Sequence, residues 1–140
     1  DNTSDWNPLP QRSRYYEQTN LSFSPSVIGM AMITLSPGWE TSVSLNGKFV
    51  GKQYYDNTSN EDRAIPSYFL MGISGTKSFK LKGTSFVDLN IYVENLLNRK
   101  YFSNGWIYTA EFADGAPVYV EEGLYPQAGI NFTAKVAFRF

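Results

Sequence analysis

The amino-acid sequence predicts an all-β chain, an antiparallel up-and-down meander of about five strands occupying residues 1–140 as one unit. Three observations predict it. Apolar and polar residues alternate with period two in several separate segments, the connections between those segments are alternately short and long, and aromatic residues gather where the segments end. Aromatics make up 16% of the chain, with ten Tyr, ten Phe and three Trp, residue types that suit both pleated sheets and membrane–water boundaries.

The first strand is expected over about residues 25–36; its Val27–Leu35 stretch is apolar on both faces, so the pattern does not assign its inside. The second, about 39–52, sets Trp39, Val43, Leu45 and Phe49 against Glu40, Ser42, Ser44, Asn46, Lys48 and Lys52. The third, about 67–79, places Phe69, Met71, Ile73 and Phe79 on one side and alternates more weakly on the other. The fourth, about 84–97, opposes Val87, Leu89, Ile91, Val93 and Leu97 to Asp88, Asn90, Tyr92 and Glu94, with Asn95 breaking the pattern. The fifth, about 127–140, is the clearest. Ile130, Phe132, Ala134, Val136, Phe138 and Phe140 share one face, and Asn131, Thr133, Lys135, Ala137 and Arg139 share the other.

Tight turns are expected at Ser36-Pro37-Gly38 and at Lys80–Gly83, and long connections at about 1–24, 53–66 and 98–126, the first with room for a further strand. All the short turns therefore fall at one end of the sheet, as in bacterial outer-membrane barrels. Tyr54, Tyr55, Tyr68, Tyr101, Phe102 and Tyr125 mark the long-loop ends, and Trp39, Phe79, Phe138 and Phe140 the short-turn ends. Two such belts match the girdles at the two lipid–water boundaries. The apolar faces are expected to be free of charge, since Lys or Arg facing lipid at mid-depth costs about 2–4 kcal/mol. A soluble β-sandwich, its greasy faces packed on each other, also satisfies the alternation. Five strands cannot close a barrel, because an open edge in lipid leaves backbone groups unpaired. A membrane barrel then needs further strands from preceding polypeptide, and Asp1 reads as an internal or processed start.

Composition excludes several classes. The net charge is −1 and no basic run occurs, so nucleic acid is not an expected partner. The absence of His and Cys removes the usual general base, the commonest metal ligand and any thiolate site. No Ser has a recognisable catalytic partner and no Gly-rich phosphate loop exists, so the chain reads as no enzyme and needs no cofactor. Asp56, Glu61 and Asp62 offer oxygen ligands of the kind that hold Ca²⁺. Without EF-hand spacing they read as a solvated loop, with Arg63 at hand to pair with them, and no metal site is assigned.

Gln53-Tyr54-Tyr55-Asp56-Asn57-Thr58-Ser59-Asn60-Glu61-Asp62-Arg63, followed by Ile65-Pro66-Ser67-Tyr68-Phe69, resembles a stretch of TonB-dependent receptors of Bacteroidetes-type bacteria. Val93-Glu94-Asn95-Leu96-Leu97-Asn98-Arg99-Lys100-Tyr101 resembles the N-L-x-N-x-x-Y element near the end of such barrels. Tyr125-Pro126-Gln127-Ala128-Gly129, leading to a final strand that ends on Phe140, is similar as well. These elements follow the family's order across about residues 24–140. The resemblance implies the C-terminal part of a 22-stranded transmembrane β-barrel filled by an N-terminal plug. It also implies uptake of an iron chelate or another small nutrient across the outer membrane, energised by TonB acting through a plug that this sequence lacks. The remaining expected partners are the rest of the barrel, outer-membrane lipid and the barrel assembly machinery.

On that basis Lys48, Asp88, Glu94, Lys135 and Arg139 are expected to face the lumen, pairing with one another or with the plug. Phe132, Val136, Phe138 and Phe140 form the terminal signal that assembly machinery reads, or simply face lipid. Trp106, Tyr108 and Tyr119, in the 98–126 connection, are candidate ligand contacts, because rings beside acids stack on and hydrogen-bond a sugar or a chelate. That connection also suits a hairpin packed on its neighbours. The rival function is a soluble β-sandwich module that binds carbohydrate through the same aromatics.

Overall fold

The computed structural model describes residues 15–110 and 117–140. Within them the chain is all-β, and its main element is one five-stranded antiparallel sheet. Its strands, in spatial order, are β1 (Ile28–Gly38), β2 (Thr41–Val50), β5 (Tyr68–Lys80), β6 (Phe86–Glu94) and β9 (Asn131–Arg139). Two small ribbons stand on the long-connection end: β3 (Gln53–Tyr54) with β4 (Ala64–Ile65), and β7 (Phe102–Ala110) with β8 (Tyr119–Pro126). The five expected strands are all present, shorter by a few residues at most ends. Residues 15–24 form no strand, and the rest of the expected first loop, residues 1–14, lies outside the described residues.

Strand pairing gives the two faces different characters. Ile33, Leu45, Ile73, Val93 and Phe132 lie opposite one another in one row across all five strands. The adjacent row is Thr34, Ser44, Ser74, Tyr92 and Thr133. Successive residues of a strand point to opposite faces, so one face is mainly apolar and the other largely polar. This register also assigns β1, which its own sequence leaves open. Gly29, Ala31, Ile33 and Leu35 join the apolar face, and Met30, Met32 and Thr34 the polar one.

No second sheet covers either face among the described residues. Phe132 is 80% exposed and Phe138 61% exposed, so the rings of β9 are not packed in a sandwich core. The buried residues Val50, Gln53, Tyr54, Tyr55, Ile65 and Asn95 gather instead in a crown at the long-connection end.

Four expectations change. The first hairpin does not turn at Ser36-Pro37-Gly38. β1 runs on to Gly38 (φ +99) with a register slip around Pro37, and the two-residue connection is Trp39-Glu40, with φ of 51° and 53°. Two positive φ values are what a two-residue hairpin needs to match strand twist, and Pro37 has no N–H to give the ladder. The fourth strand stops at Glu94, because Asn95 takes φ 52° and carries the chain out of the sheet; Leu97 is therefore not a strand residue. The apolar face is not charge-free, since Lys77 stands on it opposite Thr41 and Leu89. Its Nζ donates to Thr41 Oγ1 at 2.9 Å and to the Trp39 carbonyl, so the charge is drawn to the short-turn end. Finally, Tyr54 and Tyr55 form no belt. They are buried in the crown, while Tyr68 lies on the polar face with its ring centroid 4.6 Å from that of Tyr101.

Candidate functional site

The polar face and the crown above it form the candidate site. Across the sheet, Thr34 and Ser44 hydroxyls hydrogen-bond at 2.8 Å, and Thr76 Oγ1 donates to Asn90 Oδ1 at 3.1 Å. Nearer the short turns, Ser78 Oγ and Arg139 both donate to Asp88, the guanidinium from Nε at 2.6 Å and from Nη2 at 3.0 Å. Arg139 also lies 4.8 Å from the Phe86 ring centroid. All five residues expected to face one way do so: Lys48, Asp88, Glu94, Lys135 and Arg139 occupy the polar face by register. Of these, Asp88 and Arg139 pair with each other.

Higher on this face is an open concavity of about 480 Å³, lined by Lys48 and Glu94 together with Asn46, Gly72, Asn95 and Tyr101. Gly72 makes room for it. A Cβ there would stand 2.5 Å from Asn46 Oδ1 and 3.2 Å from the Val93 carbonyl oxygen. Sequence pattern found Lys48 and Glu94 but missed Asn46, Gly72, Asn95 and Tyr101. The available signal was the departure of Asn95 from the alternation of its strand.

Asn95 holds the crown to the sheet. It is 5% exposed, its Nδ2 donates to the carbonyls of Arg99 and Ala128 at 2.9 and 3.0 Å, and its Oδ1 accepts from the Arg99 amide at 2.9 Å. Asn98, also at positive φ, accepts from the Ile130 amide at 3.0 Å. Both residues are of the type that best tolerates the left-handed region, so the local sequence permits two sharp reversals where side-chain amides can bridge distant backbone.

The Gln53–Arg63 stretch is equally tied. Asp56 accepts from the Thr58 amide and hydroxyl at 2.9 and 2.6 Å, and from Arg63 at 2.7 Å. These donors outweigh the upward push of partial burial and hold its carboxyl below the usual carboxylate range. Glu61 accepts from Lys52 at 2.7 and 2.8 Å and from the Tyr54 hydroxyl at 2.8 Å; these bonds lower its pKa. Asn60 caps the short 3-10 turn Glu61–Arg63, its Oδ1 accepting from the Asp62 amide at 3.0 Å. Asp56 and Glu61 thus face different cations, and no metal-ligating cluster occurs among the described residues.

The described part of the 98–126 connection pairs as β7 with β8. One face, with Gly105 and Glu122, turns to Tyr55, whose hydroxyl donates to Glu122 Oε2 at 2.8 Å. Burial, reinforced by that carboxylate, pushes the Tyr55 hydroxyl up to about 12. The other face carries Trp106, Tyr108, Tyr119, Glu121 and Tyr125. The three aromatics expected to contact ligand are therefore brought together, exposed, on one surface. Phe112, Glu111 and Asp114 lie outside the described residues. On β9, Phe132, Val136 and Phe138 stand exposed on the apolar face, with Phe140 just past the strand end.

The chain matches no family model, no curated protein and no solved structure.

Proposed function

We propose that this chain is the C-terminal barrel segment of an outer-membrane TonB-dependent receptor that takes up an iron chelate or another small nutrient. One observation carries the proposal: among the described residues the apolar row Ile33–Leu45–Ile73–Val93–Phe132 runs uncovered across five strands, back to back with a polar row. A face of that kind needs a hydrocarbon neighbour, and lipid is one that covers it without any further protein layer. Lys77 fits that placement. It reaches toward the short-turn end, and the cost of a charge falls to about 0–1 kcal/mol near the interface.

The remaining features take their roles from this arrangement. β1 and β9 are sheet edges, and in lipid each requires a hydrogen-bonded neighbour from other polypeptide of the barrel. The polar face, with Lys48, Glu94 and Lys135, looks into the lumen toward the plug through which TonB acts. The exposed rings of β9 meet lipid and, during insertion, the assembly machinery. The crown of linked loops stands on the outer side, where nutrient arrives.

These 140 residues hold no cysteine, so once any cysteines elsewhere in the intact protein are replaced by serine, single-cysteine spin labels report one site at a time. In the intact protein reconstituted in bilayers, labels at Leu45, Ile73, Leu89 and Val136 are expected to be relaxed by oxygen, and labels at Ser44, Ser74, Asn90 and Lys135 by a water-soluble nickel complex. Equal accessibility of the two sets to nickel sinks the proposal.

A further inference from the structure

We propose that the outward face of the β7–β8 hairpin is a docking surface for a basic peptide, which it grips by Lys or Arg side chains. The inference rests on the hairpin alone and does not require the apolar sheet face to meet lipid.

The surface is built rather than incidental. The Trp106 indole lies across Gly123 of the paired strand: a Cβ on Gly123 would stand 2.5 Å from Nε1 and 3.0 Å from Cε2. One side of the indole is thereby held against the ribbon while the residue stays 40% exposed. One register step along, Tyr108 and Tyr119 meet edge to face, with centroids 6.4 Å apart and planes at 65°. Two rings set at such an angle offer adjoining walls to a cation, whose attraction to an aromatic face comes from the ring quadrupole.

Charge selects the occupant. From Phe102 to Pro126 the sequence holds Glu111, Asp114, Glu121 and Glu122 and neither Lys nor Arg. Glu122 is engaged on the inner face by Tyr55, whereas Glu121 lies on the aromatic face opposite Tyr108, with the Tyr119 hydroxyl 3.4 Å from its carboxylate. A carboxylate beside exposed rings, on a ribbon without a cation of its own, complements ammonium or guanidinium groups. A peptide rather than a single small cation fits the extent of the surface, which runs from Tyr125 opposite Asn104 to Tyr119 opposite Ala110.

The test uses the intact protein in detergent and a hexapeptide of alternating Lys and Arg, compared with its acetyl-lysine and citrulline counterpart. Binding of the basic peptide is expected to fall at least about tenfold in Trp106→Ala and Tyr108→Ala and severalfold in Glu121→Gln. Glu40→Gln makes the same change in net charge at the far end of the sheet and is expected to leave affinity unchanged. Equal binding of the uncharged peptide overturns the proposal, as does equal weakening by Glu121→Gln and Glu40→Gln, which would show diffuse electrostatics. Absence of binding by a wild-type protein that retains its amide-exchange protection in the hairpin overturns it too. Capture of a neutral oligosaccharide in place of the peptide would assign the rings to sugar stacking instead.

Discussion

Asn95 shows how one residue can be read as noise in a pattern and yet hold a fold together. In sequence it is the polar intruder on the apolar side of β6; in three dimensions its amide closes three hydrogen bonds to two separate segments. Replacing it by Ala removes all three of these hydrogen bonds, to the Arg99 amide and to the Arg99 and Ala128 carbonyls, and puts an alanine at φ 52°. Each hydrogen bond lost costs about 0.5–1.5 kcal/mol. Amide exchange at Arg99 in the intact protein is therefore expected to quicken on the order of tenfold to a hundredfold in Asn95→Ala. Unchanged protection at Arg99 would show that the bonds add nothing. Tyr55 gives a pH-dependent counterpart. Its folded pKa of about 12 stands above its ordinary value of 10.0, so the protonated form is the one the fold favours. Its contribution to holding the hairpin on the crown is complete below pH 10 and is lost as pH rises through about 12. Protease nicking of the β7–β8 hairpin should rise across that window in the wild type, and Tyr55→Phe should remove this dependence. A wild type and Tyr55→Phe with identical alkaline profiles would place the sensitivity elsewhere.

Elements were legible in proportion to how differently their two faces are solvated. β9 and β6 alternate cleanly, and both strands exist close to where periodicity puts them. β7 and β8 were legible only as an alternative to a loop, because neither face is simply greasy or simply polar: one packs on Tyr55 and the other carries exposed rings beside Glu121. The β1–β2 turn was misplaced because Pro37-Gly38 is a strong local turn signal, yet hairpin twist is set by the pair of residues between the last paired positions. That pair, Trp39-Glu40, contains no glycine although both φ values are positive. An L residue in this region is strained by about 1 kcal/mol or more. Glu40→Gly keeps the Glu40 carbonyl that accepts from the Ser78 amide at 3.0 Å and is expected to stabilise the intact protein by about 1 kcal/mol, read as a rise in the urea midpoint. A lower midpoint would mean that the Glu40 side chain matters more than the backbone relief.

At the scale of the whole molecule, the sheet has two faces of opposite character and, among the described residues, two open edges, with its packed residues set at one end. Such a body resists being read as a conventional core, since among the described residues its apolar sheet face is uncovered while Val50, Gln53, Tyr54, Tyr55, Ile65 and Asn95 are buried in the crown. The sequence by itself determined that the chain is a β-meander, which residues share a side within each well-alternating strand, and that short and long connections lie at opposite ends; all three follow from period-two geometry and turn chemistry between near neighbours. Only the tertiary structure decided which way β1 faces, that the 98–126 segment is a hairpin, that Tyr54 and Tyr55 are interior, and that Asn46, Gly72, Asn95 and Tyr101 share a concavity with Lys48 and Glu94. The reason is pairing across distance: β9 hydrogen-bonds to β6 past the whole β7–β8 hairpin, and register of that kind is set by partners that no local window contains.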